Sequence, residues 1–144
     1  MKRRNFLILG TSFVSVLAAR ADNLTLIVQV SYTGSGAVNQ NHKVFVALWD
    51  TPDFVKEGSQ EAPVAIKSIT ASTGSIEFDN IQKSPAYVSM LYDPSGTWDA
   101  ASAPPAGTSL GVYATNAGAP APITLEAGKT TTIKAQFDDS FKMK

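Results

Sequence analysis

The sequence implies an all-β protein, a single antiparallel β-sandwich of about seven strands. Three observations carry that reading. Apolar residues recur at period two in short runs rich in β-branched and aromatic side chains. Clusters of Gly, Pro, Asn and Ser punctuate the runs about every 10–15 residues, the spacing of sandwich strands. No segment carries a helical stripe of twelve or more residues.

The first run, Leu24, Leu26, Val28, Val30 and Tyr32, alternates with Thr25, Gln29 and Ser31, as a half-buried strand does. Thr33-Gly34-Ser35-Gly36 ends it. Val44 to Trp49 is apolar on both faces and suits a central strand, with Trp49 expected in the core. Asp50-Thr51-Pro52-Asp53-Phe54 stops that strand and can open one helical turn. Val64 to Ile69 reads as a third strand. Ser75 to Phe78 reads as a short fourth, paired to the third across Ser72-Thr73-Gly74. Tyr87 to Tyr92 is a fifth, again apolar on both faces. Gly111 to Tyr113 and Ile123 to Leu125 suit short edge strands. Thr130 to Phe137 closes the domain, with Thr131, Ile133, Ala135 and Phe137 on one side. Residues 94–109 and 114–122 are long Ala/Pro/Ser/Gly-rich connections, which in compact domains are often binding loops.

The N-terminus has the layout of a signal peptide. Lys2, Arg3 and Arg4 precede an apolar run from Phe6 to Ala19, and Ala19-Arg20-Ala21 offers a small-x-small cleavage site before Asp22. The run is shorter than the roughly 20 residues a membrane span needs. Arg3-Arg4-Asn5-Phe6-Leu7 fits a twin-arginine signal, and a Sec signal fits as well; either implies export to the periplasm or beyond. The domain division is therefore residues 1–21 as signal peptide and 22–144 as one sandwich.

Removing residues 1–21 takes four basic residues and no acid, leaving eight basic against twelve acidic residues. That balance disfavours nucleic acid and anionic lipid, which need clustered Lys and Arg. The absence of cysteine excludes disulfides, thiolate metal sites and a lipid-modified cysteine anchor.

"GSIEFDNIQKSPAYVSMLYD", residues 74–93, and "ITLEAGKTTTIKAQFDD", residues 123–139, resemble parts of transthyretin-like, or carboxypeptidase-regulatory-like, sandwiches. The first has a Gly turn, a short strand ending in Phe and a strand beginning near a Tyr; the second resembles the family's final hairpin. Ser84-Pro85 stands where the family has a Pro-Gly link, and the 94–109 loop is long. The resemblance implies a seven-stranded sandwich, transthyretin-like or more loosely Ig-like, with a non-enzymatic accessory or binding role. It carries over no catalytic residues.

Little chemistry stands out in the residues. Gly107-Thr108-Ser109-Leu110-Gly111 matches G-x-S-x-G, but a nucleophile elbow needs a strand before the Ser and a helix after it. Here Pro104-Pro105 precedes and a Gly/Ala/Pro loop follows, and the only histidine, His42, lies upstream in a polar turn. Asp93, Ser95, Thr97 and Asp99 place an oxygen donor at every second position, as a calcium loop does, but Trp98 and Pro104 stand where an EF-hand needs Gly and Glu. The simpler expectation is a turn at Asp93-Pro94-Ser95-Gly96, with the Asp side chain capping backbone N–H groups. No metal or other cofactor is expected.

The leading expectation is a non-catalytic, exported binding or envelope-associated accessory protein that meets a protein or polysaccharide partner. Its working surface is placed at residues 93–113. Two alternatives stand beside it. One is a carbohydrate-binding module using Trp98 with Tyr92 or Tyr113, since flat aromatics on sandwich loops stack on sugar faces. The other is a small hydrolase built on Asp93 and Asp99, which needs the two carboxylates about 5–9 Å apart in a cleft.

Overall fold

The computed structural model describes residues 23–144. The signal-peptide assignment to residues 1–21 lies outside them. No described helix is long and apolar enough to cross a membrane. Seven strands, β1 (Leu24–Tyr32), β2 (Val44–Trp49), β3 (Ala65–Ile69), β4 (Thr73–Ile81), β5 (Tyr87–Tyr92), β6 (Ser109–Val112) and β7 (Thr130–Phe137), form two packed sheets. One sheet has the order β4-β1-β7 and the other β3-β2-β5-β6. The all-β sandwich expected from the sequence is therefore present.

Period two decides what is inside. From β1 come Leu26, Val28 and Val30, from β4 Ile76 and Phe78, and from β7 Ile133, Ala135 and Phe137. The facing sheet supplies Val44, Val46 and Leu48 from β2 and Val88, Met90 and Tyr92 from β5. These side chains interdigitate between the sheets as one continuous core.

Several local expectations change. β4 is nine residues long and pairs with β1, not with β3. A tight hairpin needs positive φ at its turn. Gly74, the residue that would supply it, is instead an ordinary strand residue of β4. The chain therefore crosses between sheets at residues 70–72, where the Tyr32 N–H donates to the Ser72 carbonyl at 2.8 Å. Val64 precedes β3 as a bend and is exposed.

The final hairpin is also absent. Ile123 makes only an isolated bridge to Ala86, and Ile123 and Leu125 are buried as plugs of the core rather than as a strand. The turn after them, with Gly128 at φ 75°, donates its Gly128 N–H to the Asn23 carbonyl. That contact seats the start of β7 beside the start of β1, so β7 runs parallel to β1, the one parallel strand pair among the described residues.

β2 is central, as its composition suggested, but its second face is not a second core. Trp49 is only half-buried. It lies on the outer side of its sheet, stacked on Phe54 of the 3₁₀ turn Pro52–Val55 at 4.5 Å and 9°, with its Nε1–H donating to Ser89 Oγ at 2.9 Å. An indole at a strand end satisfies its one donor more easily on that wetter face than between the sheets. The outer positions of β5, Tyr87, Ser89 and Leu91, are half-buried in the same way.

The edges are guarded. Lys67 occupies a core-side position of edge strand β3, opposite Val46, and its Nζ reaches the Glu77 carbonyl at 2.6 Å across the open side of the sandwich. A charge pointing inward on an edge strand discourages pairing with another chain. On the opposite side Gly111 of β6 lets the sheets close. A Cβ there would stand 2.4 Å from Phe137 Cβ. The C-terminal segment then pairs with β6, through Leu110 N–H to the Phe141 carbonyl and Met143 N–H to the Thr108 carbonyl, both at 2.9 Å.

Candidate functional site

β5 delivers Asp93 to the start of the long loop, and the loop folds around its carboxylate. Oδ1 accepts from Ser95 N–H at 2.8 Å and Ser95 Oγ at 2.6 Å; Oδ2 accepts from Thr97 N–H at 3.0 Å and Trp98 N–H at 2.9 Å. Asp93 is 2% exposed. Burial by itself raises its pKa, but the Ser95 hydroxyl and the three backbone N–H groups outweigh it and hold the carboxyl below its usual range. The expected capping turn is therefore formed, with Gly96 at φ 72°.

That turn is built against a second one. Asn39 Oδ1 accepts from Asn41 N–H at 2.9 Å and His42 N–H at 3.0 Å, and His42 Nδ1 lies 3.3 Å from the same oxygen. A Cβ at Gly96 would meet the Asn41 carbonyl at 2.6 Å and the His42 ring at 3.2 Å. Only glycine lets the two turns pack this closely, for reasons of space and of backbone conformation.

Between the turns opens a cleft of about 420 Å³ on the outer side of the four-stranded sheet. Gln40, Asn41, His42 and Lys43 line one wall, and Ser95, Gly96 and Trp98 the other, with Phe45 also lining it. Trp98 stands nearly perpendicular to Phe45, at 87° with ring centroids 4.9 Å apart, and its Nε1–H donates to the Ser102 carbonyl at 2.8 Å. Trp98 is half-buried and belongs to no part of the core. It folds back over the outside of the sheet rather than covering the interior.

The structure separates the other candidate residues from Trp98. Tyr92 is 4% exposed, stacks on Tyr32 at 4.6 Å and donates its hydroxyl to the Ala37 carbonyl at 2.8 Å. Its phenol faces the core because inward positions of β5 alternate through Val88, Met90 and Tyr92. Tyr113 packs partly buried against the core, where its N–H meets the Val88 carbonyl, five residues back along β5 from Asp93. Asp99 is exposed and does not line the cleft. Its Oδ1 accepts from Ala101 N–H at 2.9 Å and Ser102 Oγ at 3.0 Å, which hold the carboxyl below its usual range. Ser95 and Thr97 hydroxyls lie 2.8 Å apart and bond to each other. The oxygens of Asp93, Ser95 and Thr97 thus bond among themselves and to the loop's N–H groups, while Asp99 turns away to Ala101 and Ser102. Among the described residues no group of three or more His, Asp or Glu side chains gathers as metal ligands do.

Ser109, the serine of the G-x-S-x-G match, is buried at the start of β6 and donates to Asp139 Oδ1 at 2.7 Å. The chain leads into it from a loop and out of it along an edge strand, so no strained strand-to-helix elbow forms. Asp139 is the centre of a second polar cluster. It also receives the Tyr32 hydroxyl at Oδ1 and both Ser35 N–H and Ser35 Oγ at Oδ2. Nothing in the local sequence links residues 32, 35, 109 and 139; only the meeting of β1, β6 and the C-terminal segment does.

Of the residues singled out in the sequence, the cleft brings together Trp98, Asp93, Ser95 and His42, and it adds Phe45, Gly96 and residues 40, 41 and 43. Phe45 was legible as an outward residue of β2 once the inward set was fixed, whereas the approach of residues 40–43 was not. Comparison with family models, with curated proteins and with solved structures finds no match to this chain.

Proposed function

We propose that this chain is a non-catalytic binding protein of the bacterial cell envelope, and that the cleft between residues 40–43 and 93–98 is its working surface. The observation that carries the reading is Trp98. A half-exposed indole costs apolar exposure to water, and here its N–H is tied down, its backbone is clamped by Asp93, and its ring is braced on Phe45. A rigid, preorganised aromatic bordered by hydrogen-bonding side chains is the usual composition of a recognition site.

The same geometry supports a non-catalytic role over a hydrolase. Both oxygens of Asp93 are filled by four donors, so it has no lone pair poised to take or deliver a proton to an occupant. The likeness of residues 74–93 to transthyretin-like sandwiches agrees with an accessory role.

Export is part of the proposal and rests on the layout of residues 1–21. Intact-mass measurement on protein recovered from the periplasm or medium should give the chain 22–144. A mass that retains residues 1–21 would contradict it. The binding role is tested by retention on an insoluble cell-envelope fraction, wild type against Trp98→Ala. Retention unaffected by the substitution would remove the cleft from consideration.

A further inference from the structure

The chemistry lining the cleft narrows its occupant. Apolar contact comes from Trp98 and Phe45, set at a right angle. Around them stand two side-chain amides, Gln40 and Asn41, the imidazole of His42 and the ammonium of Lys43. An apolar corner ringed by amide, imidazole and ammonium groups suits a sugar ring, whose C–H face packs on an indole while its hydroxyls reach sideways.

Charge adds a second constraint. Two charged groups line the cleft, and one is already spent: Asp93 carries four hydrogen bonds and accepts no more. Lys43 is not spent. Among the described residues the ion pairs are Lys56–Asp53, Lys83–Asp50 and Lys129–Glu126, and none uses it. Residues 22–144 contain no arginine, so the bidentate fork that favours phosphate is missing. One lysine matches one carboxylate. The acidic balance of residues 22–144 opposes a densely charged polymer, leaving short-range pairing with an isolated charge.

We infer that the cleft takes a saccharide bearing a carboxylate, a uronic acid-type ring, with the ring on Trp98 and the carboxylate at Lys43 Nζ. The inference rests on the cleft being the working surface. Cellobiouronic acid and cellobiose differ by one carboxylate and test it directly by calorimetric or NMR titration in low-salt buffer. The wild type should prefer the acid by about three- to fivefold, the size of a solvent-accessible ion pair. Lys43→Met should abolish the preference in a protein that melts as the wild type does, and Trp98→Ala should weaken both sugars. Equal affinity for the two, or a preference that survives Lys43→Met, overturns the assignment. If neither sugar binds while envelope retention still depends on Trp98, the ligand class is wrong and the cleft stands. If retention does not depend on Trp98 either, both readings fall.

Discussion

Replacing Asp139 with alanine is expected to destabilise the fold by about 3 kcal/mol at neutral pH, the scale of losing several bonds to one charged group. The carboxylate receives the Tyr32 hydroxyl, the Ser109 hydroxyl and two donors of Ser35. Tyr32 and Ser109 are 4% and 2% exposed, so both hydroxyls lose their partner where water reaches them poorly. The four bonds share one acceptor group, and their costs do not add. The cluster also joins the end of β1, the start of β6 and the segment after β7, so its loss loosens the side where the two sheets close.

The pH dependence has a defined sign on both limbs. Hydrogen bonds from Tyr32, Ser35 N–H and Ser109 hold the Asp139 carboxyl far below its usual range. A depressed folded-state value means stability that is full above the unfolded value, about 3.9, and is lost as pH falls toward the folded one. Burial, and next the bond to Asp139, push the Tyr32 hydroxyl up to about 12. A raised value means stability that is full below about pH 10 and is lost as pH climbs through the folded value. Urea denaturation of wild type and Asp139→Ala should therefore differ most between about pH 5 and 9. The difference should shrink progressively as pH falls from about 4 toward the folded value of Asp139 and as it climbs from about 10 through that of Tyr32. A difference under about 1 kcal/mol at pH 7, within the range of ordinary surface substitutions, would contradict this role.

Trp98→Ala should reverse the pattern, with a small cost in stability and a large one in binding. The indole loses an edge-on contact with Phe45 and one hydrogen bond to Ser102, both on the outside of the sheet. An aromatic pair of this kind contributes about 0.5–1.5 kcal/mol. A loss near 1 kcal/mol is expected, against about 3–5 kcal/mol for a core truncation such as Phe78→Ala. Retention on envelope material should fall by about tenfold or more, as truncation of an anchoring aromatic does. A stability loss of core size would make Trp98 a structural residue.

The strand pattern was legible because burial on one face of a strand is written at period two. Leu26, Val28 and Val30 could be assigned inward without knowing what they face. Pairing was less legible. Ser72-Thr73-Gly74 looks like a hairpin turn, but Gly74 has no positive φ and β4 pairs with β1, so the chain changes sheets there. The parallel placement of β7 depends on a bond between Gly128 and Asn23, which no local pattern records. Trp49 was misplaced because an apolar run cannot say which of its two faces is core. At the site, Trp98 stood out as an aromatic among Pro, Ser, Gly and Asp. Its neighbours did not, because Asn41 and Gly96 meet only through tertiary packing. Tyr92 lies apart from the cleft because it falls in the inward register of β5, which a run apolar on both faces does not reveal.

The central claim is that ligand is held beside Trp98. The chain has two indoles, and their Nε1–H groups donate to different acceptors, Ser102 and Ser89, so they serve as two reporters on one sheet. A ¹⁵N-labelled sample of residues 22–144 titrated with soluble glycan fragments released from the cell envelope reads both at once. The Trp98 indole signal and the backbone amides of Gln40 to Lys43 and Ser95 to Trp98 should shift together, while the Trp49 indole stays in place. Shifts confined to Trp49, or to the outer face of the β4-β1-β7 sheet with Trp98 unmoved, would contradict the account.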